Sequence, residues 1–399
     1  MAILTLVAMA MFLQSGVIEA RLHFKELGGQ GVEMFRPSSI SGSAPIFETG
    51  FPYAKEYTLP KIENPIFFQV VFKDREEFTF GVMPKPKQNM PPQKIWVDWN
   101  SDKKFTSEEA IPLEKHRPKW EGWYCYGPAF IPGYDNKTSV RVCFVLAQDV
   151  CFFIYPDGIY ETEIALGKKT YKIALVDMNT NGRVSDIYAS PYNQNSTSDF
   201  IFIDYNGDGK LEWENVAMSN YEGFPISPLI QLPDGGLYSI DFDDKNHSLK
   251  FKREKGTLGR VKTKGDSLVV LSGRRGTLWM RSVNGGFSLP IGRYAIDYAR
   301  VQYPTPREEW MINVSKRDGR DLIVEAGKTT ELPVGPPFKL SLQVDEFNQK
   351  HFFKFSLSDS YGNMVVNIQK KTGVRPPPPR LQIVNADGKV LDSPEVHYG

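Results

Sequence analysis

The sequence has few of the residues from which common enzyme sites are built. It contains three cysteines and five histidines in 399 residues, and no two histidines stand at the spacing of a His-Glu-x-x-His metal site. The Gly-x-Ser-x-Gly turn of α/β-hydrolases and the phosphate loop of nucleotide-binding proteins are also missing. These absences argue against the common metalloprotease, hydrolase and nucleotide-dependent classes, and they predict a protein that is not an enzyme.

Charge of one sign is not in excess either. The chain has 48 lysines and arginines against 47 aspartates and glutamates, which gives a formal net charge of +1. A near-neutral chain has no global field that would recruit nucleic acid or an anionic membrane. We therefore expect no nucleic-acid partner and look for partners in local sites.

Long apolar runs are scarce, and the most pronounced one covers residues 1–13. It is shorter than the roughly 20 residues that cross a bilayer as a helix. Polar Gln14 and Ser15 follow it before the small residue Ala20, a layout typical of a secretory signal that here lacks basic residues at its start. We predict a signal peptide over residues 1–20, no membrane span in the mature chain, and a secreted, extracellular or cell-surface location, with the periplasm as a second destination. A helix buried in the first domain is the alternative interpretation.

The three cysteines, Cys125, Cys143 and Cys151, lie in one short region. Their odd number leaves at least one thiol outside any disulfide within the chain. Two interpretations stay open: one disulfide that uses Cys143 or Cys151, or thiols that are buried as small apolar side chains. No Cys-x-x-Cys motif accompanies them, so structural zinc and redox catalysis are not expected.

Helical periodicity is scarce along the rest of the chain. Short runs rich in Val, Ile, Phe, Tyr and Thr, such as residues 67–72 and 352–357, alternate with Gly, Pro, Asn and Asp, a pattern typical of strands joined by turns. Residues 156–158, 233–236 and 386–388 contain Asp-Gly and are predicted to be hairpin tips. Because 399 residues exceed the size of one hydrophobic core, we predict an all-β protein with several β-sandwich domains in tandem.

Two segments carry short signatures of a known sandwich. Residues 288–294 contain Pro-x-Gly-x-Tyr and residues 324–332 contain Ala-Gly-x-Thr. They resemble signatures of transthyretin-like or carboxypeptidase-regulatory-like β-sandwiches, and this resemblance implies architecture only. The expected organisation is a signal peptide (1–20), a linker (21–45), a β domain with one acidic loop (46–118), a β domain with two acidic loops (119–255), a transthyretin-like β-sandwich (256–334) and a C-terminal Ig-like β-sandwich (335–399).

Three acidic loops give the strongest functional signal. Asp98, Asp177 and Asp204 each follow a β-like apolar run and open the pattern Asp-x-Asn-x-(Asp/Asn). Ca²⁺ takes six to eight oxygen ligands, and alternate residues of a tight loop point their oxygens inward to meet it. Calcium is therefore the expected cofactor and partner. Because Asp, Asn and Gly also build ordinary turns, a solvated hairpin loop is the alternative for each segment.

The loop from Asp98 resembles an EF-hand calcium loop position by position. Its candidate ligands are Asp98, Asn100, Asp102, the backbone carbonyl of Lys104, Thr106 and, as a bidentate carboxylate at position twelve, Glu109. It departs from the EF-hand at position six, where Lys103 replaces the glycine that makes the sharp turn. We expect this departure to lower the affinity for calcium or to bend the loop differently.

The other two loops are variants in which the later acid comes early. The candidate ligands of the second loop are Asp177, Asn179, Asn181, Arg183 and Asp186, and those of the third loop are Asp204, Asn206, Asp208, Lys210 and Glu212. Asp199 or Asp186 can lend further oxygens to the third loop. As a pair, these loops resemble the calcium loops of uncharacterised secreted bacterial β proteins. All three loops follow predicted strands, so only the loop chemistry of an EF-hand is expected, without its flanking helices.

An aromatic stretch that includes Trp120, Trp123, Tyr124 and Tyr126 could form a sugar-stacking platform, although aromatic side chains fill cores more often. The leading hypothesis is a non-enzymatic, exported, calcium-binding β protein that acts as a structural or adhesion component at a cell surface or in an extracellular matrix. The alternative is a secreted carbohydrate-binding module or glycan-active hydrolase. Self-assembly and binding to a surface polymer or glycan stay open.

Overall fold

The fold consists of β-strands joined by turns and loops. The computed structural model describes residues 17–27, 46–47, 56–72, 77–85, 91–113, 123–130, 139–145, 151–178, 183–187, 198–211, 222–243, 246–305, 308–315, 319–347, 350–370, 372–378 and 381–393. Each regular element within these ranges is a strand, and the strands form several separate sheets, which confirms the prediction of an all-β multidomain protein. In the same ranges, no helix has the length and apolar character needed to span a bilayer.

The strands of the N-terminal part, in chain order, are β1 (Val17–Arg21), β2 (His23–Glu26), β3 (Ile46–Phe47), β4 (Pro65–Phe72), β5 (Glu77–Pro84), β6 (Lys94–Val97), β7 (Ala110–Pro112), β8 (Trp123–Phe130), β9 (Ser139–Val145), β10 (Cys151–Pro156), β11 (Gly158–Leu166), β12 (Lys169–Val176), β13 (Phe200–Ile203), β14 (Gly223–Pro225), β15 (Leu229–Gln231), β16 (Leu237–Asp243) and β17 (Ser248–Arg253).

The strands of the C-terminal part are β18 (Leu258–Lys262), β19 (Ser267–Gly273), β20 (Gly276–Arg281), β21 (Gly286–Pro290), β22 (Gly292–Pro304), β23 (Glu309–Ser315), β24 (Leu322–Val324), β25 (Thr329–Glu331), β26 (Lys339–Phe347), β27 (Lys350–Ser358), β28 (Met364–Lys370), β29 (Ile383–Val384) and β30 (Val390–Asp392).

The first acidic loop belongs to a sheet with the order β3-β4-β5-β6-β7, in which each strand is antiparallel to the next. Alternate residues of these strands face a common core, because successive side chains of a strand point to opposite faces. The buried members of this core are Phe67, Phe80, Val82 and Phe105. Residues 98–109 connect β6 to β7, so the core and the loop are built from the same short stretch of chain.

Two further sheets pack as the layers of a sandwich. Their strand orders are β14-β13-β12-β11-β2 and β1-β17-β16-β15. Buried residues from both sheets, including Ile173, Ile203 and Phe251, form one continuous core cluster. The second and third acidic loops lie at the ends of β12 and β13 in the first of these two layers.

The strands β1 and β2 also belong to this sandwich. β1 pairs with β17 and β2 pairs with β11, both antiparallel. Ala20, the expected cleavage point of a signal peptide, lies opposite Leu249 and is buried in the shared core with Leu22. The expected linker therefore differs from the structure at residues 21–26, because these residues are fixed by backbone pairing and by burial of alternate side chains. The remaining linker residues 28–45 and the apolar run at 1–16 lie outside the described residues.

The cysteine region forms a three-stranded sheet with the order β10-β9-β8. Cys125 is disulfide-bonded and lies directly opposite Cys143 in the register of β8 and β9. The structure therefore contains an intramolecular disulfide, which is one of the two interpretations that the sequence left open.

The aromatic stretch near Cys125 contributes to the interior. Tyr126 is fully buried, and its hydroxyl donates a hydrogen bond to the carbonyl oxygen of Pro92 at 2.7 Å. Tyr124 is half-buried, and Trp120 lies outside the described residues. Tyr126 therefore acts as a core residue and is not available to stack on a sugar.

The C-terminal part is a second sandwich. One layer has the order β20-β19-β22-β23-β28-β27-β26, with β24 paired to β22, and the other has the order β21-β18-β25. Val261, Phe287, Ile312 and Val365 lie in the core between them. The two transthyretin-like segments fall in this sandwich, where β22 pairs with β24.

The boundary expected near residue 335 falls inside a continuous sheet. β28, which follows that boundary, pairs with β23, which precedes it, from Trp310↔Lys370 to Ser315↔Met364. The segment from β18 to β28 therefore forms the two layers of one sandwich around one core. The sequence shows no sign of this continuity, because strands that pair across a long stretch of chain produce no change of composition. Among the described residues that follow this segment, the regular structure is the small antiparallel pair of β29 and β30.

Two of the three predicted hairpin tips join paired strands. Residues 233–236 connect β15 to β16, and residues 386–388 connect β29 to β30. Residues 156–158 connect β10 to β11, which belong to different sheets, so this predicted hairpin is instead a crossover between sheets. Asp157 at its centre is buried, and its carbonyl oxygen accepts a hydrogen bond from the backbone of Leu27 at 2.8 Å.

Candidate metal site

Three carboxylates of the first acidic loop converge in the structure. Asp98 follows the last residue of β6, Asp102 stands in the turn, and Glu109 precedes β7. One carboxylate oxygen from each lies within 4.8 Å of one from each of the other two. Among the described residues, this trio could hold a metal ion, and its members stand at positions one, five and twelve of the loop.

The turn is wrapped around the side chain of Asp98. This carboxylate is inaccessible to solvent, and its two oxygens accept hydrogen bonds from the backbone of Asp102 and of Lys103, both at 3.1 Å. The side-chain oxygen of Asn100 accepts from the backbone of Asp102 at 3.0 Å, and that of Asp102 accepts from the backbone of Lys104 at 2.9 Å. These bonds bring the side-chain oxygens of positions one, three and five to one side of the loop.

Lys103 makes the turn that glycine makes in an EF-hand. Its φ is 62° and that of Ser101 is 57°, so both residues are in the left-handed region. This conformation costs a residue with a Cβ atom roughly 1–2 kcal/mol. A different bend was one of the two effects expected of Lys103, and the structure instead contains the sharp turn. Contacts with neighbouring residues compensate for the free energy that the left-handed conformation costs.

Those contacts come from a segment far upstream. The backbone of Thr58 donates to the carbonyl oxygen of Lys103 at 3.0 Å, and the backbone of Phe105 donates to the carbonyl oxygen of Thr58 at 3.1 Å. The ammonium group of Lys103 pairs with the carboxylate of Glu56, and the ring of Tyr57 stacks on that of Phe105 with centroids 5.2 Å apart. Sequence reasoning missed these anchoring residues, since no short-range pattern connects residues 56–58 with residues 103–105.

Glu109 supplies an oxygen that makes no hydrogen bond within the described part of the chain. The residue is 8% exposed, and its Oε2 atom accepts hydrogen bonds from the backbone of Thr106 at 3.0 Å and from the hydroxyl of Thr106 at 3.4 Å. Its Oε1 atom is buried and has no hydrogen bond to any described residue. A buried carboxylate oxygen without a partner is costly, so this atom indicates a ligand that completes the site. Thr106 is held by Glu109 and contributes to the site through it.

Burial and mutual repulsion disfavour the simultaneous ionisation of the three carboxyl groups at this site. Burial raises the pKa of the Asp98 carboxyl, an effect that the donated backbone N–H groups of Lys103 and Asp102 reduce. Burial also raises the pKa of Glu109, and the negative charges of Asp98 and Asp102 raise it further. A bound cation would relieve both effects, because it compensates the repulsion and replaces the lost hydration.

The donor set fits a hard divalent ion. Two oxygens bound to one Ca²⁺ ion at about 2.4 Å are at most about 4.8 Å apart, and the oxygens of this trio lie within that separation of one another. Carboxylate, amide and carbonyl oxygens are the ligands that Ca²⁺ prefers. Asp98, Asn100, Asp102, Glu109 and the backbone carbonyl of Lys104 are the residues that could hold the ion.

The third acidic loop has the same internal hydrogen bonds as the first. The buried carboxylate of Asp204 accepts from the backbones of Asp208 at 3.2 Å and Gly209 at 2.9 Å, and Asn206 accepts from Asp208 at 2.8 Å. The carboxylate of Asp208 accepts from the backbone of Lys210 at 2.8 Å, as Asp102 accepts from Lys104. Positions one, three and five therefore match the first loop, while Glu212 lies outside the described residues.

The second acidic loop is described only at its ends. Asp177 is buried, Arg183 is exposed and Asp186 is half-buried, whereas Asn179 and Asn181 lie outside the described residues.

Next to this loop, Asp199 is a fully buried carboxylate. It accepts hydrogen bonds from the backbones of Met178 at 3.1 Å and Asp186 at 2.9 Å. Burial and the charges of Asp177 and Asp186 raise its pKa well above the usual range. Asp199 thus ties the two ends of the second loop together.

Comparisons with known proteins give no family for this chain. No family model matches it, and no curated protein matches it. Among solved structures, the chain is similar to a leucine-rich repeat protein from Bacteroides thetaiotaomicron, with 9% identity and a TM-score of 0.17 over 51% of this chain and 23% of that chain. A similarity this low carries no argument about fold or function, which leaves the geometry of the acidic loops as the basis for any conclusion.

Proposed function

We propose that this chain is an exported, non-enzymatic β protein that binds Ca²⁺ in the loop from Asp98 to Glu109 and serves as a structural or adhesion component at a cell surface or in an extracellular matrix. The observation that carries the proposal is the buried Oε1 atom of Glu109, which has no hydrogen-bond partner among the residues that the structure describes, beside Asp98 and Asp102. A calcium ion satisfies this atom and compensates the three carboxylates at once.

The role of the ion in this proposal is structural. The loop joins two strands of one sheet and is fastened to residues 56–58, so a bound ion links segments that are distant in the chain. Binding to the folded state alone stabilises it by about 2.7 kcal/mol when the free Ca²⁺ concentration is 100 times the dissociation constant. The third loop, with its matching hydrogen bonds, is proposed as a second calcium site.

Export has its own support. A disulfide persists in oxidising compartments, and Cys125 is disulfide-bonded. Removal of a signal at Ala20 would delete most of β1, whereas Ser15 and Gly16 are small residues that precede this strand. We therefore place the end of the signal before Val17. N-terminal sequencing of the chain recovered from the periplasm or medium of a bacterial host tests this: a start at residue 17 supports it, and an intact Met1 in the cytoplasm contradicts it.

The calcium site is tested by thermal unfolding in Ca²⁺ and in chelator for the parent chain and two variants. Glu109→Gln removes the charge of the buried ligand while its amide oxygen can still accept from Thr106. Glu108→Gln makes the same chemical change at the exposed neighbour. We expect the parent and Glu108→Gln to gain the same increase in midpoint from Ca²⁺ and Glu109→Gln to lose the part of it that the first loop supplies. An equal gain in all three, or none in the parent, contradicts the proposal.

A further inference from the structure

The hairpin of β26 and β27 extends away from the sheet to which it belongs. The two strands pair over nine residues of each, from Lys339↔Ser358 to Phe347↔Lys350. In contrast, β27 pairs with β28 at a single position, Ser358↔Met364. The hairpin is therefore attached at its base, and β26 is the last strand in the order of the sheet. Along its outer edge, β26 has no strand partner among the described residues.

One face of this hairpin is apolar and open to water. Leu340, Leu342 and Val344 alternate along β26 and are 51%, 46% and 51% exposed. They lie opposite Leu357, Phe355 and Phe353 of β27, so the six side chains share a face. Leu357, at the base of the hairpin, contacts the core of the C-terminal sandwich. The part of the hairpin nearer its tip extends beyond that core.

An edge of this kind favours pairing with another strand. Natural proteins protect long edges with prolines, bulges or charges directed into the pairing surface, because unpaired N–H and C=O groups are a template for a further strand. β26 has no proline or register shift over its length. Its charged residues stand near the two ends, at Lys339 and at Asp345 and Glu346.

The residue types of β26 are complementary when the strand is paired antiparallel with itself. If two copies run antiparallel about a two-fold axis at Leu342, Lys339 of each copy lies opposite Asp345 of the other. In the same register, Leu340 lies opposite Val344 and Ser341 lies opposite Gln343. Directly opposite residues of an antiparallel pair have their side chains on the same face, so the apolar faces of both copies join and the opposite charges meet.

We propose that β26 pairs with the β26 of a second copy of this chain, antiparallel and about a two-fold axis at Leu342. The charge complementarity of Lys339 with Asp345 selects a second copy over an unrelated apolar partner. A two-fold pairing of this kind closes after two copies, so it yields dimers. This inference does not depend on calcium, because β26 lies in the C-terminal sandwich and the proposed site lies in the first sheet.

Cysteine cross-linking tests the register. In the proposed dimer the two copies of residue 342 face each other at about 5 Å between their Cα atoms, a separation that a disulfide spans. We expect Leu342→Cys to give a covalent dimer on non-reducing gels under mild oxidation. Ile323→Cys, at another exposed apolar strand position that is 57% exposed, should stay monomeric on the same gel. Equal cross-linking of both variants, or none in either, overturns the proposal.

Charge exchange tests the pairing without a cysteine. Lys339→Asp puts aspartate opposite aspartate in a dimer of that variant, and Asp345→Lys puts lysine opposite lysine. A mixture of the two variants restores both attractive pairs. Asp345 also forms an ion pair with Lys354 in its own chain, and Asp345→Lys removes this pair too. The mixture is the control, because it lacks the same intrachain pair in one of its two chains but regains the pairs between chains.

The readout is sedimentation at protein concentrations from about 1 to about 100 μM. We expect each single variant to dimerise about tenfold or more weakly than the parent, and the mixture to regain the affinity of the parent. A parent chain that remains monomeric over this range, or a mixture that dimerises no more tightly than either variant alone, overturns the proposal. Neither result affects the calcium-dependent unfolding described above.

Discussion

Lys103 and Gly209 occupy the same position of the same turn in two loops of different sheets. Both have left-handed backbones, with φ of 62° and 79°, and both donate the backbone N–H to the aspartate that opens the loop, at 3.1 Å to Asp98 and 2.9 Å to Asp204. The conformation therefore follows from the alternating side-chain acceptors and does not require glycine. Glycine lowers its cost, and in the first loop the contacts to residues 56–58 compensate for its absence.

The first prediction concerns the cost of this backbone conformation. We expect Gly209→Ala to destabilise the fold by about 1 kcal/mol, because the left-handed region penalises a Cβ atom. A Cβ atom at Gly209 would meet nothing within 4 Å, so the loss would be conformational and not steric. Urea unfolding measures it. Gly256→Ala is the control, since Gly256 lacks a left-handed φ and a Cβ atom there would meet the end of the Glu254 side chain at 3.1 Å, which can shift; equal losses in both variants contradict the explanation.

The second prediction is a dependence of the calcium effect on pH. The folded pKa values of Asp98 and Glu109 are raised above the values of 3.8 and 4.5 that these side chains have without the fold. In chelator, both groups therefore favour the folded state most at low pH, and this stability is lost as the pH rises through the folded pKa values. Ca²⁺ binds the ionised carboxylates, so the sign of the dependence reverses in its presence.

Thermal unfolding across about pH 4 to about pH 8 measures this dependence. The difference in midpoint between Ca²⁺ and chelator should be small at the acidic end and grow as the pH rises. Glu109→Gln should show a smaller growth than Glu108→Gln. A difference that is constant with pH contradicts carboxylate ligation.

The third prediction concerns the core residue inside the loop. Phe105 is 5% exposed and packs with Phe67, Phe80 and Val82 under the sheet. We expect Phe105→Ala to destabilise the protein by about 3–5 kcal/mol through lost burial and a cavity, and to weaken calcium binding because Phe105 positions the backbone between Lys104 and Thr106. Chemical denaturation and calorimetric titration measure the two effects.

Phe352→Ala is the matched control for this change, since Phe352 is a phenylalanine that is 47% exposed. Its removal should cost less than about 1 kcal/mol and leave calcium binding unchanged. A comparable loss of stability in both variants would show that Phe105 does not support the loop.

The fourth prediction concerns Asp359, a buried carboxylate in the turn between β27 and β28. It accepts hydrogen bonds from the backbones of Gly335, Tyr361 and Asn363 at 2.9–3.1 Å and from the side chain of Asn363. We expect Asp359→Ala to destabilise the fold by about 3 kcal/mol, because several buried donors lose their acceptor. Asp387→Ala, at the exposed tip between β29 and β30, should have little effect, and unfolding in urea distinguishes them.

Local sequence patterns were sufficient for much of this protein. Alternation of apolar residues predicts strands such as β4 and β27, and Asp-Gly predicts the turns after β15 and β29. The alternating oxygens from Asp98 to Asp102 predict the wrapped loop, because the hydrogen bonds that shape it join residues two to five apart. These features depend on neighbours in the chain, which a sequence displays directly.

Features that depend on remote partners could not be predicted in the same way. The pairing of β1 with β17 joins residues whose numbers differ by more than two hundred, and that of β2 with β11 joins residues more than one hundred apart. Residues 21–26 were therefore predicted as part of a linker, although they belong to β1, β2 and the residue between them. The pairing of β23 with β28 across residue 335 had no local signal for the same reason. The ion pair of Glu56 with Lys103, which supports the first acidic loop, is a contact between segments that carry no shared motif.

The position of β1 has a consequence for how the chain is made. Val17–Arg21 is synthesised well before its partner β17, which ends at Arg253. At about 5–20 residues per second, the first strand waits about 10 to 50 seconds before its partner has been synthesised. During this interval the layer that contains β1 and β17 is incomplete, so this sandwich closes only after Arg253 has been synthesised.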